Sequence, residues 1–342
     1  MANTKIPPEL VNKEIFNNRR LNINGGMDVA QRGTLTGLTS AYGGPDRYKI
    51  STSSLGFYSL AQSNDSPDGF ANSLLLSCTT ADASPSASDY AVLYYAFEGY
   101  DLQTLKFGTS DAEQVTVSFY VKTNKTGTYN LELYAPDNTS NPSANKQYTV
   151  SSANTWEKKT ITFPCGNSAA IADDNTGGIY LQFWLGGGST FTSGSASDGN
   201  FHSTTANRAA GNVNFADSTS NTFRITGVQV ETGDVATPFE YRSYGEELTL
   251  CQRYYEKFYY GASAVNIAAH AYGNWNPIQP KRAQPSMSLS GNMTYYLSNG
   301  GNGTGGTAQT TSHREGSCAV RTYLLNTTLV YFEGNMIAEA EI

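Results

Sequence analysis

Apolar and polar residues alternate in short runs through the central part of the chain. Val115, Val117, Phe119 and Val121 fall on one side of an extended backbone, and Thr116, Ser118, Tyr120 and Lys122 fall on the other. That period of two predicts a strand with one face in a core. Ile179, Leu181, Phe183 and Leu185 repeat the pattern with Tyr180, Gln182 and Trp184 opposite, and Tyr129, Leu131 and Leu133 repeat it again. Further strands are predicted over 73–78, 90–98, 157–163 and 223–230, with Gly227 marking a bulge in the last. About eight strands with no helix between them predict two packed sheets, a jelly-roll β-sandwich spanning 36–242.

The flanking segments read differently. Residues 1–35 hold no periodic run and are punctuated by Pro7-Pro8, Asn17-Asn18 and Gly25-Gly26, which predicts an extended docking arm lying along a neighbour or along its own domain. Ser243 and Glu246 form a capping box, and Leu248, Cys251 and Tyr255 follow at helical spacing, so a linking helix is expected over 243–257. Strand patterns return at 287–289, 294–297, 318–324 and 329–332, with the glycine-rich run 299–306 as a hairpin tip, and predict a smaller C-terminal β domain over 258–342. The loops 137–145 and 186–217 are rich in Gly, Ser, Thr, Asn and Ala. They are places for variable contacts or plain spacers.

Composition agrees with an all-β chain. Of 342 residues, 39% are hydrophobic and only 15% charged, with 23 Tyr, 15 Phe and 33 Gly. A net charge of −7 argues against nucleic acid, whose phosphates are bound by Lys and Arg. No window approaches the roughly 18 apolar residues of a membrane span, and the first ten residues lack the apolar centre of a signal peptide. The expectation is a protein made in the cytosol that stays soluble, without membrane insertion. Cys78, Cys165, Cys251 and Cys318 lie far apart and are expected to be free, mostly buried thiols.

Several segments resemble a known family. Asn22-Ile-Asn-Gly-Gly-Met-Asp-Val-Ala-Gln-Arg-Gly-Thr34 and Pro45-Asp-Arg-Tyr48 are similar to the opening motifs of phage tail-fibre and virion-surface proteins. Ile225-Thr-Gly-Val-Gln-Val-Glu231, Ala236-Thr-Pro-Phe-Glu-Tyr-Arg-Ser-Tyr-Gly-Glu-Glu-Leu248 and Cys251-Gln-Arg-Tyr-Tyr-Glu-Lys257 are similar to the closing ones. Thr155-Trp-Glu-Lys-Lys-Thr-Ile-Thr-Phe163 resembles a strand of carbohydrate-binding modules. The resemblance implies a carbohydrate-binding-like sandwich on the exterior of a bacteriophage, contacting host surface polysaccharide, joined to other virion proteins through residues 1–35 and assembled as a homotrimer. It leaves head and tail open, and with them a fibre or adhesin versus a capsid or tail decoration protein.

Sugar recognition needs flat aromatic faces together with amides, carboxylates or guanidinium groups. Tyr180, Gln182 and Trp184 supply that mix on one strand face, and Tyr120 and Arg224 extend it if their strands share the sheet. The same side chains would equally pack against a neighbouring subunit or the second domain. Trp156 opens a strand as a rim or core anchor, and Trp275 lies in a turn-rich segment. Asp65 with Asp68, and Asp173 with Asp174, lie in loops where structural calcium could gather oxygens, although without an ordered ligand spacing; solvated turns are the alternative. His202, His270 and His313 are isolated, and no zinc or esterase motif occurs. A glycan depolymerase would need two facing carboxylates. The scattered acids do not suggest them, so no catalytic residue is assigned.

Overall fold

The computed structural model describes residues 19–140, 142–164, 166, 168–263, 270–290, 294–297, 302–304, 307–314, 317–323 and 329–342, several of those in the C-terminal sheets by backbone alone. Strands are numbered along the chain. One six-stranded sheet has the order β1 (Leu35–Leu38), β4 (Phe57–Ser63), β5 (Ser73–Thr80), β12 (Thr222–Thr232), β7 (Val115–Thr123), β10 (Glu157–Phe163). The second six-stranded sheet runs β2 (Ser40–Tyr42), β3 (Tyr48–Ser53), β6 (Tyr90–Glu98), β11 (Gly177–Gly187), β8 (Gly127–Tyr134), β9 (Ser143–Val150). Strands β5 to β12 cross between the sheets in jelly-roll order, apart from the β8–β9 hairpin within the second sheet, and β1 to β4 widen both sheets at one edge.

The predicted alternation is what closes the sandwich. Val117, Phe119 and Val121 of β7 meet Leu181, Phe183 and Leu185 of β11 in one buried core. Phe119 and Phe183 cross edge to face at 5.1 Å. Each such side chain contributes about 1.5–3 kcal/mol by leaving water. Gly227, at φ +60°, sits where the β12–β7 register shifts between Thr226 and Gln229, the bulge expected there. The loop placed at 137–145 is shorter than expected, because β9 begins at Ser143.

Residues 19–35 do not behave as an arm reaching to a neighbour, because they are spent on the chain's own sandwich. Arg20, Asn22, Asn24, Met27 and Val29 are buried. The Asn22 amide donates to the Val228 carbonyl at 2.9 Å and accepts from the Val230 N–H at 2.9 Å, taking the place of a neighbouring strand beside β12. Residues 1–18 lie outside the described part.

Ser243 caps the helix Tyr244–Gln252 as its spacing predicts, accepting from the Glu246 N–H at 3.3 Å. The helix is shorter than the expected 243–257, and Tyr255 already opens the next strand, held by the Arg32 guanidinium 3.8 Å from its ring. It is also not a detached linker, since Glu247 is buried against Arg20 and the Asn24 N–H.

Beyond it, a five-stranded sheet holds β13 (Tyr255–Ser263), β15 (Ser286–Leu289), β16 (Thr294–Leu297), β17 (Asn302–Thr304) and β20 (Leu329–Glu339). A three-stranded sheet holds β14 (His270–Trp275), β18 (Thr307–Arg314) and β19 (Ser317–Tyr323). The glycine-rich run is therefore more than a tip, since β17 within it pairs with β16. Trp275 belongs to a strand rather than a turn, and its side chain, with those of His270 and His313, lies outside the described atoms. Cys78 and Cys251 are free and buried; the side chains of Cys165 and Cys318 also lie outside the described atoms.

Candidate functional site

Side chains that point away from the core on the second sheet line up in rungs. Hydrogen-bonded register places Tyr42 beside Lys49, Lys49 beside Tyr94, Tyr94 beside Gln182, Gln182 beside Glu132 and Glu132 beside Asn145. The adjacent rung carries Ala96, Tyr180 and Tyr134. Tyr180 stacks on Tyr94 at 5.4 Å and leans on Tyr134 at 6.1 Å, so three phenols from three strands form a platform in which Tyr94 is buried and Tyr134 and Tyr180 are half-buried. Gly177 makes this possible: a Cβ there would come within 2.4 Å of the Tyr180 ring.

The segment after β11 folds back as the wall of this face. Its helical turn Ser189–Thr192 brings Phe191 to 5.5 Å from Tyr90 and 5.3 Å from Trp184. The Ala210 carbonyl accepts from the Asn130 and Gln147 amides, and the Asn207 carbonyl accepts from Asn145. The loop expected at 186–217 is thus pinned to the sheet rather than being a spacer. It delivers Arg208, whose Nε donates to Glu132 Oε1 at 2.7 Å and whose Nη2 reaches Glu132 Oε2 at 3.2 Å and Gln182 Oε1 at 3.4 Å. Its guanidinium lies 4.7 Å from the Tyr134 ring. Burial works against the Arg208 cation, but the Glu132 carboxylate more than offsets it and holds the pKa above its ordinary value. Burial likewise raises the Tyr180 phenol and pushes Tyr94 up to about 12.

Between platform and wall lies a hollow of about 280 Å³, lined in part by Tyr90, Tyr94, Tyr134, Tyr180, Gln182 and Arg208. Among the described residues, no Asp or Glu lines it. It offers aromatic surface, one amide and one cation held in place before any ligand arrives, which is the equipment for gripping a neutral polyhydroxylated chain.

Trp184 has a different role from the one its strand position suggests. It is 1% exposed, its Nε1 donates to Glu132 Oε2 at 2.7 Å, and it forms the floor under Phe191 and Arg208. A ring so covered packs under Phe191 and Arg208 and has no face left for stacking. Tyr120 and Arg224 do not extend the face either, because β7 and β12 pair in the other sheet, on the far side of the sandwich.

Among the described residues, no cluster of His, Cys, Asp and Glu suits a metal ion. Asp65 pairs with Lys122 Nζ at 2.9 Å, Trp156 Nε1 at 3.2 Å and Arg224 Nε at 3.4 Å. This also makes Trp156 an anchor at the sheet surface. Asp174 turns its carboxylate onto Thr176, its own neighbour in the turn with Asp173. His202 binds Asn145 through Nε2 at 2.9 Å and takes part in the wall.

Sequence reading missed Tyr90, Tyr94, Tyr134 and Arg208. Tyr90 and Tyr94 carried a signal, being spaced by four in a predicted strand; Arg208 in its loop carried none.

No protein-family model matches the chain, and no curated protein matches it. Among solved structures it is similar to a family 11 carbohydrate-binding module from Clostridium thermocellum in complex with a β-1,3-1,4-mixed-linked tetrasaccharide, at 11% identity and a TM-score of 0.31, covering 60% of this chain and 98% of that one. It is also similar to the N-terminal cellulose-binding domain of β-1,4-glucanase C from Cellulomonas fimi, at 11% identity and a TM-score of 0.30, over 62% and 95% of the two chains. A putative sugar-binding protein from Bacteroides thetaiotaomicron matches at 9% identity and a TM-score of 0.34, over 62% and 99%. At TM-scores this low, what the face binds has to follow from its own residues.

Proposed function

We propose that this chain is a non-catalytic glycan-binding protein on the exterior of a bacteriophage particle, a fibre or adhesin that holds host surface polysaccharide on the outer face of its second sheet. The observation that carries the binding is the tyrosine platform of Tyr94, Tyr134 and Tyr180 beside Gln182 and the pinned Arg208. A hollow with aromatic walls and no carboxylate on its surface supports binding over hydrolysis. The virion setting is supported by the resemblance of 22–34, 45–48 and 225–257 to virion-surface proteins. Attachment to the particle then falls to the residues ahead of 19. As a homotrimer the protein would gain avidity from weak single sites.

The test is competition of the purified protein with phage adsorption to host cells, together with binding to the extracted surface polysaccharide. Tyr180→Ala and Gln182→Ala should each weaken binding about tenfold, roughly 1.4 kcal/mol, with a smaller loss of stability than a buried Trp would give and a thermal transition that stays cooperative. Trp184→Ala is unsuitable, since removing a buried Trp costs about 3–5 kcal/mol of folding. Full competition by both face variants would overturn the proposed site. Failure of the wild type to bind polysaccharide would favour a decoration or cement protein with no sugar ligand.

A further inference from the structure

The far side of the sandwich carries a second aromatic groove. Phe70, in the loop between β4 and β5, gathers Tyr120 at 5.5 Å, Phe239 at 5.0 Å and Tyr241 at 5.7 Å. Tyr120 projects from β7, whereas Phe239 and Tyr241 come from the segment between β12 and the helix, and Tyr241 is 62% exposed. The hollow between them is about 440 Å³, with Asp68, Ser118, Lys158 and Thr237 among its polar lining.

The backbone is shaped for these rings. At the β12 bulge, a Cβ on Gly227 would stand 2.6 Å from Phe70 and 3.1 Å from Tyr120. The positive φ and the missing side chain let both rings lie against the strand. Lys158, opposite Tyr120 in the β10–β7 register, is exposed and holds its ammonium 5.9 Å from the Tyr120 ring. Its ammonium makes no hydrogen bond or ion pair among the described residues.

We infer that this groove is a second saccharide site, separate from the tyrosine platform, taking a short stretch of neutral glycan. The rings offer surface for the C–H faces of sugar units, while Asp68 and Lys158, of opposite charge, offer hydroxyl partners without net charge. An apolar partner would have to strip water from both charged groups. A polyanion would meet Asp68. One sandwich with sites on opposite sheets can grip two polysaccharide chains, or one chain twice, and so gains avidity within a single protomer.

The experiment is electrophoresis of the full chain in native gels containing soluble mixed-linkage β-glucan, xylan or extracted host surface polysaccharide. Tyr241→Ala and Lys158→Ala are used because both positions are exposed. The expected result is partial loss of retardation, about three- to tenfold, in the Tyr241→Ala/Lys158→Ala double variant, a separate partial loss in Tyr180→Ala, and complete loss when the three are combined. Unaltered retardation in the groove variant, with loss in Tyr180→Ala, would sink the second site and leave the platform standing. Loss in the groove variant alone would keep the groove and sink the platform. No retardation of the wild type by any of the three polymers would count against both. If sedimentation shows Tyr241→Ala falling to a smaller assembly with retardation intact, the groove seats a second copy of the chain and the saccharide reading is wrong.

Discussion

Asp46 shows how one buried acid couples this fold to pH. It lies in the Pro45-Asp-Arg-Tyr48 turn, accepting from the Gln31 N–H at 3.0 Å and from Gln31 Nε2 at 2.6 Å, with Arg32 Nη1 at 3.8 Å. Burial is the largest influence and lifts its pKa from an ordinary 3.8 to about 6, against the pull of Arg32 and Gln31. The folded chain therefore takes up a proton at a higher pH than the unfolded chain does. The stability this group contributes is complete below about pH 4 and is lost as pH rises through about 6. Asp46→Asn removes that titration. Its melting temperature relative to the wild type should be higher at pH 7.5 than at pH 5, and an offset that is flat across that range would refute the assignment.

At the scale of elements, the segment between β11 and β12 behaves as a wall because buried amides on the sheet hold it. Asn145 is the hub. Its Nδ2 donates to Asn130 Oδ1 at 3.2 Å and to the Asn207 carbonyl at 2.9 Å, and its Oδ1 accepts from the Ser197 hydroxyl at 2.8 Å. Asn145→Ala would remove these bonds and leave the buried Asn130 amide oxygen without this donor, at a cost of about 1–3 kcal/mol. The wall should open before the sandwich unfolds, because its anchors are polar and local while the sheets share the apolar core. Limited proteolysis is expected to cut Asn145→Ala within 193–206 much faster than the wild type, and glycan binding should fall with Arg208 displaced. Equal cleavage rates would mean that other contacts hold the wall.

Across the whole molecule, sandwich and C-terminal sheets are joined by ion pairs, of which those of Glu341 with Arg32 and Arg47 are buried. Arg47 pairs with Glu341, donates to the Ala96 carbonyl at 2.6 Å and lies 3.4 Å from the Tyr254 ring. Arg32 reaches Glu339 and Glu341, each at 3.1 Å, and Arg253 binds Glu98 at 2.7 Å. Of the resemblance motifs, Arg32, Arg47 and Tyr254 meet here, whereas Gly227, Phe239 and Tyr241 stand at the second aromatic groove. Glu341→Ala would strand Arg47 without its carboxylate and should cost about 3–5 kcal/mol. A single thermal transition that moves down as a whole would show the two parts melting together; two separate transitions would show that the junction does not couple them.

Local sequence determined the strands β5–β8 and β10–β12 closely, the capped start of the helix and the Gly227 bulge. Each depends on a residue and its near neighbours: a period of two, a serine three residues before a glutamate, a glycine where a side chain would collide. It also marked Tyr120, Tyr180 and Arg224 as pointing away from the core. Which outside they point to was a tertiary matter, because sheet membership is set by pairing between distant segments and alternation is the same in either sheet. The burial of Trp184 under Arg208 and its bond to Glu132 depend on a loop folding back across the sheet. So do the two aromatic faces, each assembled from strands and loops far apart in the chain and brought together only when the jelly roll closes.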